Sequence, residues 1–352
     1  MEKHEFQDNN KEQVEKAKKN LVYVGILSIV MLFAGFSSAY IVSMGDSFWL
    51  KYPLPAAFYI STAIIILSSI TYQLAIYFVK KGNQGAMKGL MVLTLLLGFA
   101  FVYSQFKGYG QLVDDGIYAV NNHIIVTDGK YGDYFEVKMD GKFIEINGND
   151  YLLAGKIMTP EQREDYKEFM MQFIQTKEGS AFHPEEYGKR FEIYFEDRPM
   201  IVVDGKLVNA DSTELKYLDN QRLSYLAINV RDGRGDFFVR GKMGKDFHIY
   251  FKGKELEYVD RELRLDGVKL KNYLQIKAME SADTASSYLY IITFLHLLHI
   301  IVALLYLIVV VIRSLSGKIN ADNSIGLRAA GIFWHFLGIL WLYLLLFLLF
   351  IH

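Results

Sequence analysis

The chain has 352 residues, of which 52% are hydrophobic and 22% charged, with a formal net charge of −1. That balance needs both a membrane phase and an aqueous phase, and the near-zero charge excludes nucleic acid as an expected partner. The lack of cysteine excludes disulfides, thiolate metal ligands and thiol nucleophiles.

Five apolar runs reach the length of about 20 residues that a bilayer span requires. They cover about Leu21–Ser43, Leu54–Val79, Gly89–Phe106, Ser286–Ile312 and Ala329–Ile351. A polar segment, residues 1–19, precedes the first run. That run is too long for a cleavable signal peptide and has no small-residue cleavage site. Its Ala34, Gly35, Ser38 and Ala39 predict close approach of a neighbouring helix. The second run carries Leu67-Ser68-Ser69-Ile70-Thr71. The third carries Leu97-Gly98 and Gln105 and ends at Gly108-Tyr109.

Residues 107–283 read as a strand-rich domain. Tyr134 to Met139 alternate with period two, and Asp128-Gly129, Asp140-Gly141, Asn147-Gly148, Asp204-Gly205, Lys252-Gly253 and Asp266-Gly267 signal turns. One helix is expected from Thr159, with Pro160 in its first turn and Gln162 closing a capping box. Its apolar stripe is Tyr166, Phe169, Met170, Phe173 and Ile174. The segment beginning at Gly132 recurs from Gly188 and from Gly244, 56 residues apart each time. The register carries into the next strand, where Ile144, Met200 and Leu256 align. A fixed period with matched apolar positions predicts tandem β-hairpin units that pack on one another. No catalytic constellation is readable here: His123, His183 and His248 are scattered. Acidic residues outnumber basic ones, a bias that suits a solvated surface or a basic electron-donor protein docking nearby.

The last two runs hold Thr293 to Tyr306, with His296 and His299, and Phe333 to Phe350, with Trp334, His335 and Trp341. Polar residues within a span are costly and mark a role. His296 and His299 are three apart and share a helix face, and His335 lies on the next span. Bonding across helices is the expected role, lipid headgroup contact the next, and metal or haem ligation the last. Trp341 lies inside its span and is expected to pack on another helix. Arg313 and Arg328 read as basic anchors near one face and as contacts for a phospholipid phosphate.

Orientation follows from Lys and Arg in the short connections. Lys11, Lys16, Lys18 and Lys19 precede the first span, Lys80, Lys81 and Lys88 follow the second, and Arg313, Lys318 and Arg328 follow the fourth. The connection Met44 to Pro53 offers Lys51 alone. The N-terminus is therefore expected in the cytoplasm, with residues 107–283 and the C-terminus outside, in the periplasm of a bacterium.

These runs resemble subunit III of the cytochrome c oxidase type of haem–copper oxidases. The family pattern of its last two helices is His-Gly-Leu-His-Val, then Trp-His-Phe-Val-Asp-Val-Val-Trp. Here stand His296-Leu297-Leu298-His299-Ile300, then Trp334-His335-Phe336-Leu337-Gly338-Ile339-Leu340-Trp341. The first three runs are similar to the family's third, fourth and fifth helices, so the resemblance implies a short, five-helix form. It covers all five spans and leaves out the segment between the third and fourth. Three family acids are replaced, by Ile29, Gly108 and Gly338, which removes membrane carboxyl groups from any proton-handling role.

The resemblance implies an all-α bundle of five transmembrane helices, into which the residue pattern places an inserted, mainly β domain that includes one or more helices. Residues 1–19 form a cytoplasmic segment and 20–106 the first three helices. Residues 107–283 form the insertion and 284–352 the last two helices. It implies a non-catalytic subunit in a bacterial cell membrane that binds no cofactor itself, with haem and copper in partner subunits. Those partners are the catalytic subunit I and the copper-bearing subunit II. Cytochrome c or a neighbouring respiratory complex is expected at the outer domain, and lipid around the spans. Expected contacts between helices or with lipid are His296, His299, His335, Trp341, Gln105, Arg313 and Arg328. The equivalent subunit of a quinol oxidase or nitric oxide reductase is an alternative. A membrane-anchored periplasmic scaffold is an alternative of another class.

Overall fold

The structure is a computed structural model that describes residues 2–120, 135–175, 182–183, 187–235, 237, 239–259, 262–281, 283–321 and 323–352. His123, the Asp128-Gly129 turn and the opening Gly132 to Tyr134 of the first repeat lie outside these residues. In chain order the elements begin α1 (Glu2–Asp46), β1 (Phe48–Lys51), α2 (Ala56–Lys80) and α3 (Gln84–Asp114). Then come β2 (Phe135–Met139), β3 (Lys142–Asn147), β4 (Asp150–Leu153), β5 (Lys156–Ile157) and α4 (Pro160–Met171). Next are β6 (Phe191–Phe195), β7 (Arg198–Pro199), β8 (Ile201–Val203), β9 (Lys206–Val208) and α5 (Tyr217–Arg231). The chain closes with β10 (His248–Phe251), β11 (Lys254–Glu255), β12 (Glu257–Val259), β13 (Glu262–Leu265), β14 (Val268–Lys269), α6 (Asn272–Glu280), α7 (Thr284–Leu315) and α8 (Ile325–Phe350).

The chain divides into two compact units. One holds Met1–Asp46, Pro53–Asp114 and Ala285–His352; the other holds Ser47–Tyr52 and Asp115–Thr284. The first is helical. Among the described residues five helices are long and apolar enough to cross a membrane: Lys19–Asp46 of α1, and α2, α3, α7 and α8. The 1–19 segment is not a separate element, because α1 runs without a break from Glu2 into the first span. Helix α3 continues past the expected end at Phe106 to Asp114, because its last turns have partners. Gln111 Oε1 there accepts the Ala57 N–H, an orphan donor at the start of α2, at 3.2 Å. Between α2 and α3 the chain turns through Gly82 at φ 75°, and the Asn83 side chain caps α3 by accepting the Ala86 N–H.

Of the four small residues singled out in α1, three do not face the bundle and Ala39 is half-buried. Phe33, Ser37 and Tyr40 are buried instead, while Ala34, Gly35 and Ser38 are exposed, and nothing lies within 4 Å of a Cβ placed on Gly35. Among the described residues no close approach falls on Gly35, and the i, i+4, i+7 face of Phe33, Ser37 and Tyr40 packs.

The second unit repeats one pattern. In the first copy β2, β3, β4 and β5 run antiparallel in succession and lead into α4. The second copy is β6 to β9 then α5, and the third β10 to β14 then α6. The first hairpin of each turns at Asp140-Gly141, Glu196-Asp197 and Lys252-Gly253, all at positive φ, as two-residue hairpins favour. Where the first copy has continuous β3, the others bend after two residues. The bend is fixed in the same way: Met200 N–H donates to Ile193 O and Leu256 N–H to Ile249 O, each at 2.8 Å. Strand β3 runs through Asn147, so the turn expected at Asn147-Gly148 falls one residue later. The second copy has no counterpart of β5 or β14.

Helix α4 carries its capping box, with Thr159 and Gln162 bonding reciprocally. Helices α5 and α6, which no sequence signal announced, start at Lys216 and Lys271 without a side-chain cap. Copies one and two share a core of Phe135, Val137, Ile146, Tyr166, Phe169, Phe191, Ile193, Leu223 and Leu226 among others. The connection between α1 and α2, read from sequence as a plain loop, contains β1, which pairs antiparallel with β10.

Candidate functional site

The polar residues of α7 and α8 are set by what α1, α2 and α3 present to them. Helix α8 runs against α2 with three side-chain bonds two turns apart or adjacent. The Trp334 indole N–H donates to Ser68 Oγ at 3.0 Å, and His335 Nδ1 lies 2.5 Å from Ser69 Oγ. Seven residues on, the Trp341 N–H donates to Thr62 Oγ1 at 2.9 Å. A seven-residue step on antiparallel helices keeps partners on one seam. The Ser-Ser run of α2 is thereby the partner of the Trp-His pair of α8, a match that pattern reading on separate helices does not reveal.

His296 is buried at 0% exposure. Its ring stacks on Trp341 at 5.4 Å between centroids, and meets Phe101 and Phe33 edge-on at 6.1 and 6.5 Å. Neither ring nitrogen has a hydrogen-bond partner among the described residues. His299 Nδ1 bonds to its own helix, 2.7 Å from Leu295 O, and its ring lies 5.9 Å from Phe33. The expectation that these two histidines bond across helices is therefore replaced by ring packing for His296 and a backbone bond for His299. His335 points to Ser69 and Tyr72, while His296 sits among Phe33, Phe101 and Trp341, so the three imidazoles do not converge. Among the described residues no group of three or more His, Cys, Asp or Glu could hold a metal ion.

Gln105 of α3 donates from Nε2 to Ser61 Oγ at 2.8 Å, and its Oε1 is buried without a partner among the described residues. Thr71 and Thr94 bond at 2.9 Å, and Tyr109 donates to Thr293 at 3.1 Å. Arg313 lies exposed in the last turn of α7, and Arg328 is half-buried in the first turn of α8. Two glycines fit by close approach. A Cβ on Gly98 would stand 2.5 Å from Leu304 Cδ2 and 3.0 Å from Trp334. A Cβ on Gly108 would stand 2.4 Å from Phe58 Cε1. Chemically the arrangement is a fixed hydrogen-bonded seam, suited to holding helices in one geometry where lipid supplies no hydrophobic drive between them.

In the sheet unit a cavity of about 90 Å³ opens where the second copy lacks its last strand, lined by Phe195, Arg198, Met200, Asn209 and Asp211. Thr213 hydrogen bonds, aided by Arg198, hold the Asp211 carboxyl below the usual carboxylate range.

Residues 265–352, which contain α7 and α8, match the family described as Cytochrome c oxidase subunit III. Over these helices the chain is similar to the cytochrome c oxidase subunit III family. The chain is similar to Cytochrome c oxidase subunit 3 of Glycine max, 29% identical over 104 residues, which are 28% of this chain and 39% of that protein. It is 31% identical over 78 residues to the Arabidopsis thaliana protein of that name, covering 22% and 29%. It is 37% identical over 49 residues to the Spodoptera frugiperda one, covering 14% and 33%. The chain thus spans about a third of the length of these curated relatives. The subunit III match includes every residue of the α8 side of the seam, Trp334, His335 and Trp341.

Proposed function

We propose that this chain is the non-catalytic subunit III of a membrane-bound terminal oxidase of the cytochrome c oxidase type. The complex reduces oxygen to water and moves protons outward. This chain packs against catalytic subunit I and stabilises it, beside the copper-bearing subunit II. Haem and copper reside in those partners. The observation that carries the reading is the match over residues 265–352, which falls on α7 and on α8, the helix bound to α2 through Ser68, Ser69 and Thr62.

The basic connections support a cytoplasmic N-terminus and a periplasmic sheet unit in a bacterial cell membrane. On that side the unit covers the outer face of the catalytic subunits and meets cytochrome c or a neighbouring respiratory complex. Arg313 and Arg328, on the opposite side, take phospholipid phosphates. Purification of the membrane complex through a tag on this chain tests the proposal. Haem and copper absorbance co-purifies with the tag; a tagged chain recovered without either metal chromophore overturns it.

A further inference from the structure

The first strands of the repeats pair in a way that has a symmetry of its own. Strands β2 and β6 are antiparallel, with Phe135 opposite Phe195, Val137 opposite Ile193 and Met139 opposite Phe191. Positions 56 apart are equivalent, so the pairing is self-complementary about Val137 and Ile193. Copies one and two meet as two subunits of a twofold dimer would. The third copy has no fourth copy to meet.

Strand β1 occupies that edge in the same register. Phe48 lies opposite Phe251, Leu50 opposite Ile249 and Lys51 opposite His248. One period earlier, Phe195, Ile193 and Glu192 face Phe135, Val137 and Lys138. Phe48, Leu50 and Lys51 therefore stand where Phe135, Val137 and Lys138 stand. The contacts repeat as well. Phe48 stacks on Phe251 with ring centroids 4.5 Å apart, and Phe135 meets Phe195, tilted, at 4.9 Å. Lys51 Nζ lies 4.5 Å from the Tyr250 ring, and Lys138 Nζ lies 4.3 Å from the Tyr194 ring. Phe48, Trp49 and Leu50 are each at most 1% exposed. A segment outside the repeats has the strand chemistry of a repeat.

We infer that the β10 edge is a self-association edge, and that Ser47–Tyr52 occupies it as a stand-in for a second copy of this chain. With β1 released, β10 pairs with β10 of another chain. Ile249 then faces Ile249, Phe247 faces Phe251 and His248 faces Tyr250, so apolar positions meet and no like charges oppose. An apolar strand edge with unpaired main-chain groups recruits such a partner.

Cysteine substitutions in this 352-residue chain, which has no cysteine, test this in detergent. Ile193 and Ile249 direct their carbonyls to the strand on their other side, so Leu50 and Ile249 form a non-hydrogen-bonded pair. Such pairs have Cα atoms about 4.5 Å apart, within disulfide reach. L50C/I249C is expected to form an intramolecular disulfide, and I249C alone to stay unlinked. In L50D/I249C, and in F48D/I249C, a disulfide-linked dimer becomes the major oxidised species. L50D with I157C, an exposed site on β5, stays monomeric. The inference is overturned if β1-disrupted I249C chains remain monomers, if I249C links with β1 intact, or if I157C links equally well, which marks general aggregation.

Discussion

The two units of this chain both join antiparallel neighbours, but they hold them by different means. The sheet unit closes largely on carbon: Phe135, Val137, Phe169, Phe191 and Ile193 sit in a common core, and a buried amide, Gln275, bonds the backbone of Leu263 in the third copy. The helical unit places bonded hydroxyls, indoles and an amide at its centre, from Ser61 and Thr62 to Trp334 and Trp341. In water, apolar burial both drives and selects contacts. Between helices in lipid it does neither, so small residues and polar pairs set the geometry. Within the helical unit His296 breaks the pattern, as a polar ring packed like an apolar one.

The largest effect that tests this contrast is expected in the sheet unit. Phe135→Ala is expected to cost about 4 kcal/mol, read as loss of hydrogen-exchange protection over residues 135–195. An unchanged profile would mean that the shared core does not govern this unit. Next is Gly98→Val, where overpacking against Leu304 and Trp334 costs about 2 kcal/mol, seen as a lower midpoint of thermal unfolding in detergent. The histidines then separate by sign. His335→Phe removes the bond to Ser69 and lowers stability by about 1 kcal/mol. His296→Phe removes a buried ring whose nitrogens are unpaired, and raises stability by about 1 kcal/mol. Equal losses at both positions would show that the two rings are held alike.

The smallest effect is a pH dependence in the sheet unit. Burial pushes the Tyr187 hydroxyl from 10.0 up to about 12. A group raised on folding contributes its stability below the unfolded value and loses it as pH climbs through the folded one. Stability should therefore fall between pH 10 and 12, and Tyr187→Phe should flatten that part of the profile. A slope identical in both chains would assign it to other groups.

The spans were legible because hydropathy over a run is a local property, and so was α4, whose capping box lies within four residues. Helix α5 was not, since Lys216 gives no cap and Tyr217 and Leu218 at its start are exposed. Strand β1 was hidden by its brevity and by a partner some two hundred residues away, because register across such a gap is written in neither segment alone. The histidines were visible as a cluster in sequence, but their partners belonged to other helices. Ser68 and Ser69 stood in plain view as a polar run, and only packing linked them to Trp334 and His335.

The Gly108 position has an evolutionary corollary. A relative with an acid there must hold something smaller or displaced opposite it, since the Phe58 ring fills the space that any side chain at 108 needs. A carboxyl at this locus is therefore expected to require a smaller residue at 58: a single Gly108→Glu change should fold poorly, and Phe58→Ala beside it should relieve the clash.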